Sequence, residues 1–301
     1  MKVLITGGLG FIGTQLSAYF LQQGDEVTVV ARSREPKQYA PKGVKYVSGD
    51  TTLEGSWQEE VSVQDVVINL AGASIFTRWN EKGKRLIYES RVLTTRNLVE
   101  ALAEGKRTVL CSTSAVGYYG FRADEELTEE NGPGDDFLAG VCVDWEKEAR
   151  KAEAKGARVV IARFGLVLGK TGGVLGEMIP LFKRFIGGPL GSGCQWVSWI
   201  HMKDLLRAMS FVIEKREIHG PVNFCSPDPV KNEEFANGLG KVLRRPSFFR
   251  APAFMIRLVL GEFGSFMLKG QRVLPTVLLQ HGYRFRYPEI EKALSEVVGR
   301  D

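Results

Sequence analysis

Short runs of consecutive apolar residues alternate with stretches in which apolar residues recur three or four apart, the pattern of buried strands and the helices that cover them. Val3, Leu4 and Ile5 open the series; Thr6 and glycines at 7, 10 and 13 follow. Ile12, Leu16, Tyr19 and Phe20 then fall on one helical face, which Gly24 stops. Further strands are predicted at 26–30 (EVTVV), 44–47, 64–70 (QDVVINL), 108–112 and 158–168 (RVVIARFGLVL). Helices are predicted over 81–103 and 137–154. This alternation up to Gly169 predicts an α/β fold built on a doubly wound parallel sheet. Beyond it the pattern changes. Residues 171–199, rich in glycine and aromatics, predict a loop and short helix over a cleft. A helix over 200–214, a short strand at 221–225 and an amphipathic helix over 231–243 follow. The apolar stretch 253–268 is broken by Arg257, Gly261, Glu262 and Gly264, which predicts a helix pair in a second lobe rather than a membrane span.

The turn after the first strand carries the first chemistry. Gly7 permits a tight turn, Gly10 admits a pyrophosphate beside the backbone, and Gly13 lets the helix close on the strand. With the amides of Phe11 and Ile12 at the helix start, these residues are read as the phosphate cradle of a dinucleotide-binding Rossmann fold. At the end of the second strand, a cofactor with a free ribose 2′-hydroxyl wants an acidic residue. The chain instead has Ala31, Arg32, Ser33 and Arg34. A guanidinium there grips a 2′-phosphate and Ser33 adds a hydrogen bond, which predicts NADP(H) over NAD(H); solvated loop charges are the alternative. Asp50, past the third strand, is placed to reach the adenine, and Leu70, Ala71 and Gly72 leave ligand space at the end of the fourth. Ser114, Tyr118 and Tyr119 gather hydroxyls at the same sheet edge, as redox chemistry on an alcohol requires. The expected division is a nucleotide-binding domain of residues 1–169 and 200–229, with a smaller C-terminal substrate lobe of 170–199 and 230–301.

Composition narrows the partners. The 301 residues are 25% charged and 44% hydrophobic, ordinary for a soluble globular chain. The net charge of +5 is spread without a basic block, which argues against nucleic acid and suits an anionic cofactor or substrate. Cys111, Cys142, Cys194 and Cys225 form no CxxC pair and are read as reduced thiols of a cytoplasmic protein, with no metal site. The chain opens on a strand, from which no leader is expected. The expected partner is a small-molecule substrate, with neither nucleic acid nor membrane; a homodimer stays open.

The chain resembles the extended short-chain dehydrogenase/reductase superfamily of nucleotide-sugar epimerases and dehydratases, and within it the atypical group called epimerase family proteins. TGGLGFIG at 6–13, NLAG at 69–72, STSAVGYYG at 112–120, RFGLVLG at 163–169 and WIHMKD at 199–204 carry the wider likeness. DFLAGVCVDWE at 136–146, GSGCQWVSWIH at 191–201 and GYRFRYP at 282–288 carry the narrower one. The resemblance implies an epimerase-like NADP(H) oxidoreductase acting on a small polar substrate such as a nucleotide sugar. It also exposes a departure. Superfamily enzymes pair a serine, matched by Ser114, with Tyr-x-x-x-Lys on the following helix, and the matching positions here hold Leu138 and Cys142. A non-catalytic NADP(H)-binding sensor is therefore the competing expectation.

Candidates for the missing groups each have a bland alternative. Tyr118, near Arg122, or Tyr119 is a substitute acid, or each is an aromatic packed over the cofactor. Cys142 is a thiol acid or a small buried hydrophobe, and Glu146 a base or a surface ion-pair partner. His201, beside Asp204, is a proton carrier or a structural residue near the cleft. Arg78, Trp79, Gln195 and Trp196 face the substrate or anchor the core. Ser114, polarising the reacting oxygen, is the leading candidate.

Overall fold

The computed structural model describes residues 1–33, 40–170 and 172–299. The first half runs β1 (Lys2–Thr6), α1 (Phe11–Gln22), β2 (Glu26–Ala31), β3 (Lys45–Ser48), β4 (Val66–Asn69), α2 (Glu81–Glu100) and β5 (Val109–Ala115). After β6 (Glu126–Leu127) come α3 (Phe137–Arg150), β7 (Arg158–Phe164), β8 (Leu166–Leu168), α4 (Gly173–Lys183), β9 (Trp196–Val197) and β10 (Trp199–His201). The chain continues through α5 (Met202–Glu214), β11 (Gly220–Phe224), β12 (Val230–Lys231), α6 (Asn232–Leu243), α7 (Ala253–Met267), β13 (Arg272–Val273), α8 (Thr276–Gln280) and α9 (Ile290–Val298).

Seven strands form one parallel sheet in the order β11-β7-β5-β4-β1-β2-β3. Helices bury both its faces, which is why the strands read as continuous apolar runs rather than alternating ones. On one face Val3, Ile5, Val29 and Ile68 pack with Leu16 and Phe20 of α1 and Leu205 and Met209 of α5. On the other, Leu4, Val30, Val67 and Leu110 pack with Leu98 and Val99 of α2 and Ala149 of α3. The fold is thus the doubly wound α/β sheet that the pattern predicts. The strand order reverses at β1, flanked by β2 and β4, so the carboxyl ends of β1 and β4 border a crevice.

Three local expectations change. The single strand predicted at 158–168 breaks at Gly165: β7 stays in the sheet, while β8 leaves it and pairs in parallel with β10. The helix predicted from residue 200 begins at Met202, because Ile200 and His201 belong to β10. The 171–199 segment holds an 11-residue helix, α4, together with β9, which pairs antiparallel with β12. Leu168, Phe182, Trp199, Phe235 and Leu294 join α4, α6 and α9 in a separate apolar cluster beside the sheet. Within α7 the helical path breaks at Gly261, whose φ of 60° lies in the left-handed region, so 253–267 is the helix pair expected. No helix among the described residues is long and apolar enough to cross a membrane.

Candidate active site

β1 ends at Thr6, whose hydroxyl donates to Asn69 Oδ1 at 2.7 Å and fixes the ends of β1 and β4 together. Gly7 then turns the chain with φ 68°, and a Cβ there would lie 2.9 Å from the Leu70 carbonyl carbon. A Cβ on Gly13 would collide with the Gly7 carbonyl oxygen, so the start of α1 is held against the turn. No side chain caps α1, in contrast to α2 and α3, which Asn80 and Asp136 cap. Its first amides, on Phe11, Ile12 and Gly13, are those that an anion would satisfy.

Two cavities meet at this turn. One of about 510 Å³ is lined by Arg32, Ser33, Asp50 and Ala71. The other, of about 580 Å³, is lined by Phe11, Ile12, Gly13 and Ser114. Gly7, Gly10, Leu70 and Gly72 line both. The cofactor candidates among the described residues and Ser114 are therefore brought to one groove along the carboxyl edge of the sheet. Arg32 is exposed, Ser33 Oγ lies 2.7 Å from the Tyr46 hydroxyl, and Asp50 Oδ1 accepts from the amide and hydroxyl of Thr52. Arg34 lies outside the described residues.

At the end of β5, Ser114 Oγ is 2.7 Å from Glu146 Oε1 on α3. Glu146 accepts twice from Arg163, at 2.8 Å to each carboxylate oxygen. Arg163 Nη1 donates to the Tyr119 hydroxyl at 2.9 Å, and that hydroxyl donates to Asn223 Oδ1 at 2.7 Å. Sheet register makes this possible: Ser114 is the Cα partner of Arg163 across β5 and β7, and Arg163 of Asn223 across β7 and β11. The whole path is buried. Burial alone would lower the Arg163 pKa, but its bonds to Glu146 outweigh that and raise it; burial raises the Tyr119 phenol despite Arg163.

Several expectations are corrected by these positions. Glu146 is not a surface ion-pair partner but lies 4% exposed in the network. Tyr118 does not line either cavity; the Arg163 guanidinium covers its ring 3.5 Å from the centroid, while Arg122 turns to the Pro133 carbonyl and Glu125. His201 caps α5 through Nδ1, meets Glu296 through Nε2 and stacks on Tyr287, away from the groove. Gln195 bonds the Leu190 carbonyl, and Trp79 stacks with Phe137, Phe263 and Phe266. Trp196 does line the larger cavity, tied to Asp124 and covered by Lys231.

Leu138 and Cys142 both line the larger cavity, and burial pushes the Cys142 thiol up to about 11, which makes it a poor nucleophile. Two further lining residues are not among the candidates read from the sequence. Arg91, on α2, sits beside Gly72 and 5.4 Å from the Trp145 ring, with burial lowering its pKa. The indole N–H of Trp145 is buried without a hydrogen-bond partner. Val141, Val174, Phe263, Phe266 and Met267 give the cavity apolar walls, with Thr113, Ser198, Asn232, Lys269 and Gln271 as polar groups among them.

Comparison with known proteins gives this geometry a context. Residues 3–224 match the model of the NAD dependent epimerase/dehydratase family, and residues 251–297 match a domain of unknown function, DUF1731. The chain is 39% identical over 303 residues to the epimerase family protein SDR39U1 homolog, chloroplastic, of Arabidopsis thaliana, covering 99% of this chain and 87% of that protein. It is 38% identical to the epimerase family protein YfhF of Bacillus subtilis, over 99% of this chain and 98% of that one. The crystal structure of human epimerase family protein SDR39U1 (isoform2) with NADPH superposes with a TM-score of 0.87 at 33% identity, covering 99% of each chain.

Proposed function

The chain belongs to the NAD dependent epimerase/dehydratase family, and from that premise we propose that it is an NADP(H)-dependent oxidoreductase of the atypical short-chain type. The observation that carries the reading is the groove, whose glycine turn and uncapped helix start separate an Arg32-lined bay from the Ser114-lined cavity. Arg32 and Ser33 would take the 2′-phosphate, the amides of 11–13 the diphosphate, and Asp50 the adenine side. A human relative crystallised with NADPH supports this choice of cofactor. Residues 170–199 and 230–301 would form the substrate lobe, and four free thiols suit a reducing compartment such as the cytoplasm.

When bound, the nicotinamide supplies or accepts a hydride. The protein's part is the proton. A carboxylate in a two-point ion pair offers only lone pairs, so Ser114 gives its hydroxyl proton to Glu146 and presents an acceptor to the cavity. In alcohol oxidation Ser114 Oγ would take the substrate proton while its own moves to Glu146; carbonyl reduction would run the relay backward from a Glu146 that has first taken up a proton from solvent. Leu138 and Cys142 stand where Tyr and Lys would act and move no proton. Arg91 offers the cation that the lysine would bring near the nicotinamide ribose.

The test is to follow NADPH absorbance with purified protein and a panel of carbonyl compounds. Turnover is expected, with a loss of roughly 10²–10⁴-fold in kcat for Ser114→Ala at unchanged cofactor affinity. The replacement of Tyr and Lys by Leu138 and Cys142 favours a second reading, a non-catalytic NADP(H) sensor. Tight NADPH binding without turnover across the panel would select it.

A further inference from the structure

The Ser114 cavity adjoins another of about 660 Å³ between α4, α6 and α7. Leu166, Val174, Val197, Phe263 and Met267 line both. Beyond this shared wall the annex is enclosed by Met178, Leu181 and Phe182 of α4, Phe235 of α6, and Val259 and Leu260 of α7. Its charged lining residues, Arg78 and Glu177, are both exposed. Asn232 already accepts a hydrogen bond from the Leu190 amide. A nucleoside diphosphate placed here would find one exposed cation and no buried one, which leaves its phosphates uncompensated.

Large apolar side chains that line the annex are themselves exposed: Leu181 at 43%, Ile186 at 48%, Phe249 at 48% and Val259 at 72%. Leu258 and Phe248, neighbours in sequence, are exposed at 82% and 77%. Exposed apolar surface gathered at the lining of an apolar cavity marks an entrance for apolar ligands. The polar groups lie mainly in the adjoining cavity, among them the Ser114 hydroxyl, the unpartnered Trp145 indole N–H, Arg91, Lys269 and Gln271. The two cavities together thus have a polar end beside the sheet and an apolar body reaching the surface.

We propose that the annex holds an alkyl chain: the substrate is an elongated lipophilic alcohol or carbonyl compound, its oxygen beside Ser114 and its chain between α4, α6 and α7. This rests on the oxidoreductase reading for the reacting end, but the chain site is testable without turnover. Linear primary alcohols from butanol to dodecanol, titrated calorimetrically into the NADPH-saturated protein, form no productive complex and report binding alone. Affinity is expected to rise about fourfold per added methylene, as burial of each CH₂ at about 0.8 kcal/mol requires, and then to level off when the annex is full. Met178→Trp, which fills the annex, should flatten the series with NADPH affinity unchanged. Val259→Asp, at an exposed position, should weaken dodecanol more than tenfold and leave butanol unaffected. Affinity independent of chain length, a series indifferent to both variants, or UDP-glucose binding more tightly than dodecanol would each overturn the proposal. Chain-length-dependent binding with no oxidation or reduction of any alkanol or alkanal would sink the oxidoreductase reading and leave the annex standing. Turnover of short carbonyls without a chain-length trend would do the reverse.

Discussion

Ser114 donates its one hydroxyl proton to Glu146, so in this state it would offer a ligand an acceptor rather than a donor. Ser114 depends in turn on Arg163, which is 2% exposed and makes both bonds to Glu146. Arg163→Met should remove about 3–5 kcal/mol of stability by leaving a buried carboxylate unpaired, measured by urea unfolding. A loss below about 1 kcal/mol would show that water reaches Glu146. Arg32 is the opposite case, an exposed guanidinium with no ion pair among the described residues. Arg32→Ala should leave unfolding unchanged and weaken NADPH by about 10–100-fold, the worth of charged hydrogen bonds, with NADH nearly unaffected. Equal weakening of both coenzymes would remove the 2′-phosphate from the account.

At the scale of elements, function sits where strands end. The turn between β1 and α1 fits only because Gly13 brings the helix onto Gly7, so Gly13→Ala must push α1 outward. Calorimetry should then show NADPH and NADH weakened alike, since the turn serves the diphosphate that both share. Selective loss of NADPH alone would contradict this division of labour between the turn and Arg32. The break at Gly165 works differently: it sends β8 out of the sheet toward β10, which carries Leu166 and Val167 into the cavity wall. The break at Gly261 lets Phe263 and Met267 line the cavities while Leu258, on the preceding turn, faces solvent.

Across the whole molecule, the C-terminal segment is fastened to the start of α5. Buried Asp204 accepts from the Tyr283 hydroxyl and from the amides of Arg286 and Tyr287, and Glu296 on α9 meets both His201 and Lys203. Burial holds the His201 imidazole below its ordinary 6.5, against the pull of Glu296. The unfolded chain therefore takes up this proton more readily than the folded one, and stability falls as pH drops below about 6.5. Burial would raise the Glu296 carboxyl, but Lys203 and His201 outweigh it and hold it below 4.5, so its contribution disappears only at lower pH. Tm should decline from about pH 7 to about pH 5, and His201→Gln should flatten that decline. An unchanged slope in the variant would mean that folding does not shift the His201 pKa.

The sequence alone determined the doubly wound sheet and the glycine turn. Buried parallel strands write continuous apolar runs, and a backbone that must pass close to another backbone writes glycine; both are local requirements. Arg32 in place of an acidic residue after β2 was legible for the same reason. Only the tertiary structure decided what surrounds the reacting end. The two- and three-residue strands β8, β9 and β10 leave no period to detect, and their partners lie far along the chain. Glu146 reads as a surface charge until α3 lays it against Arg163, and Tyr118 reads as a hydroxyl of the cleft edge until the same guanidinium covers its ring. Ser114, Arg163 and Asn223 become neighbours through strand register, and the apolar annex through the packing of α4, α6 and α7. Contacts of that kind are made through space between distant segments, and no local pattern of residue types encodes them.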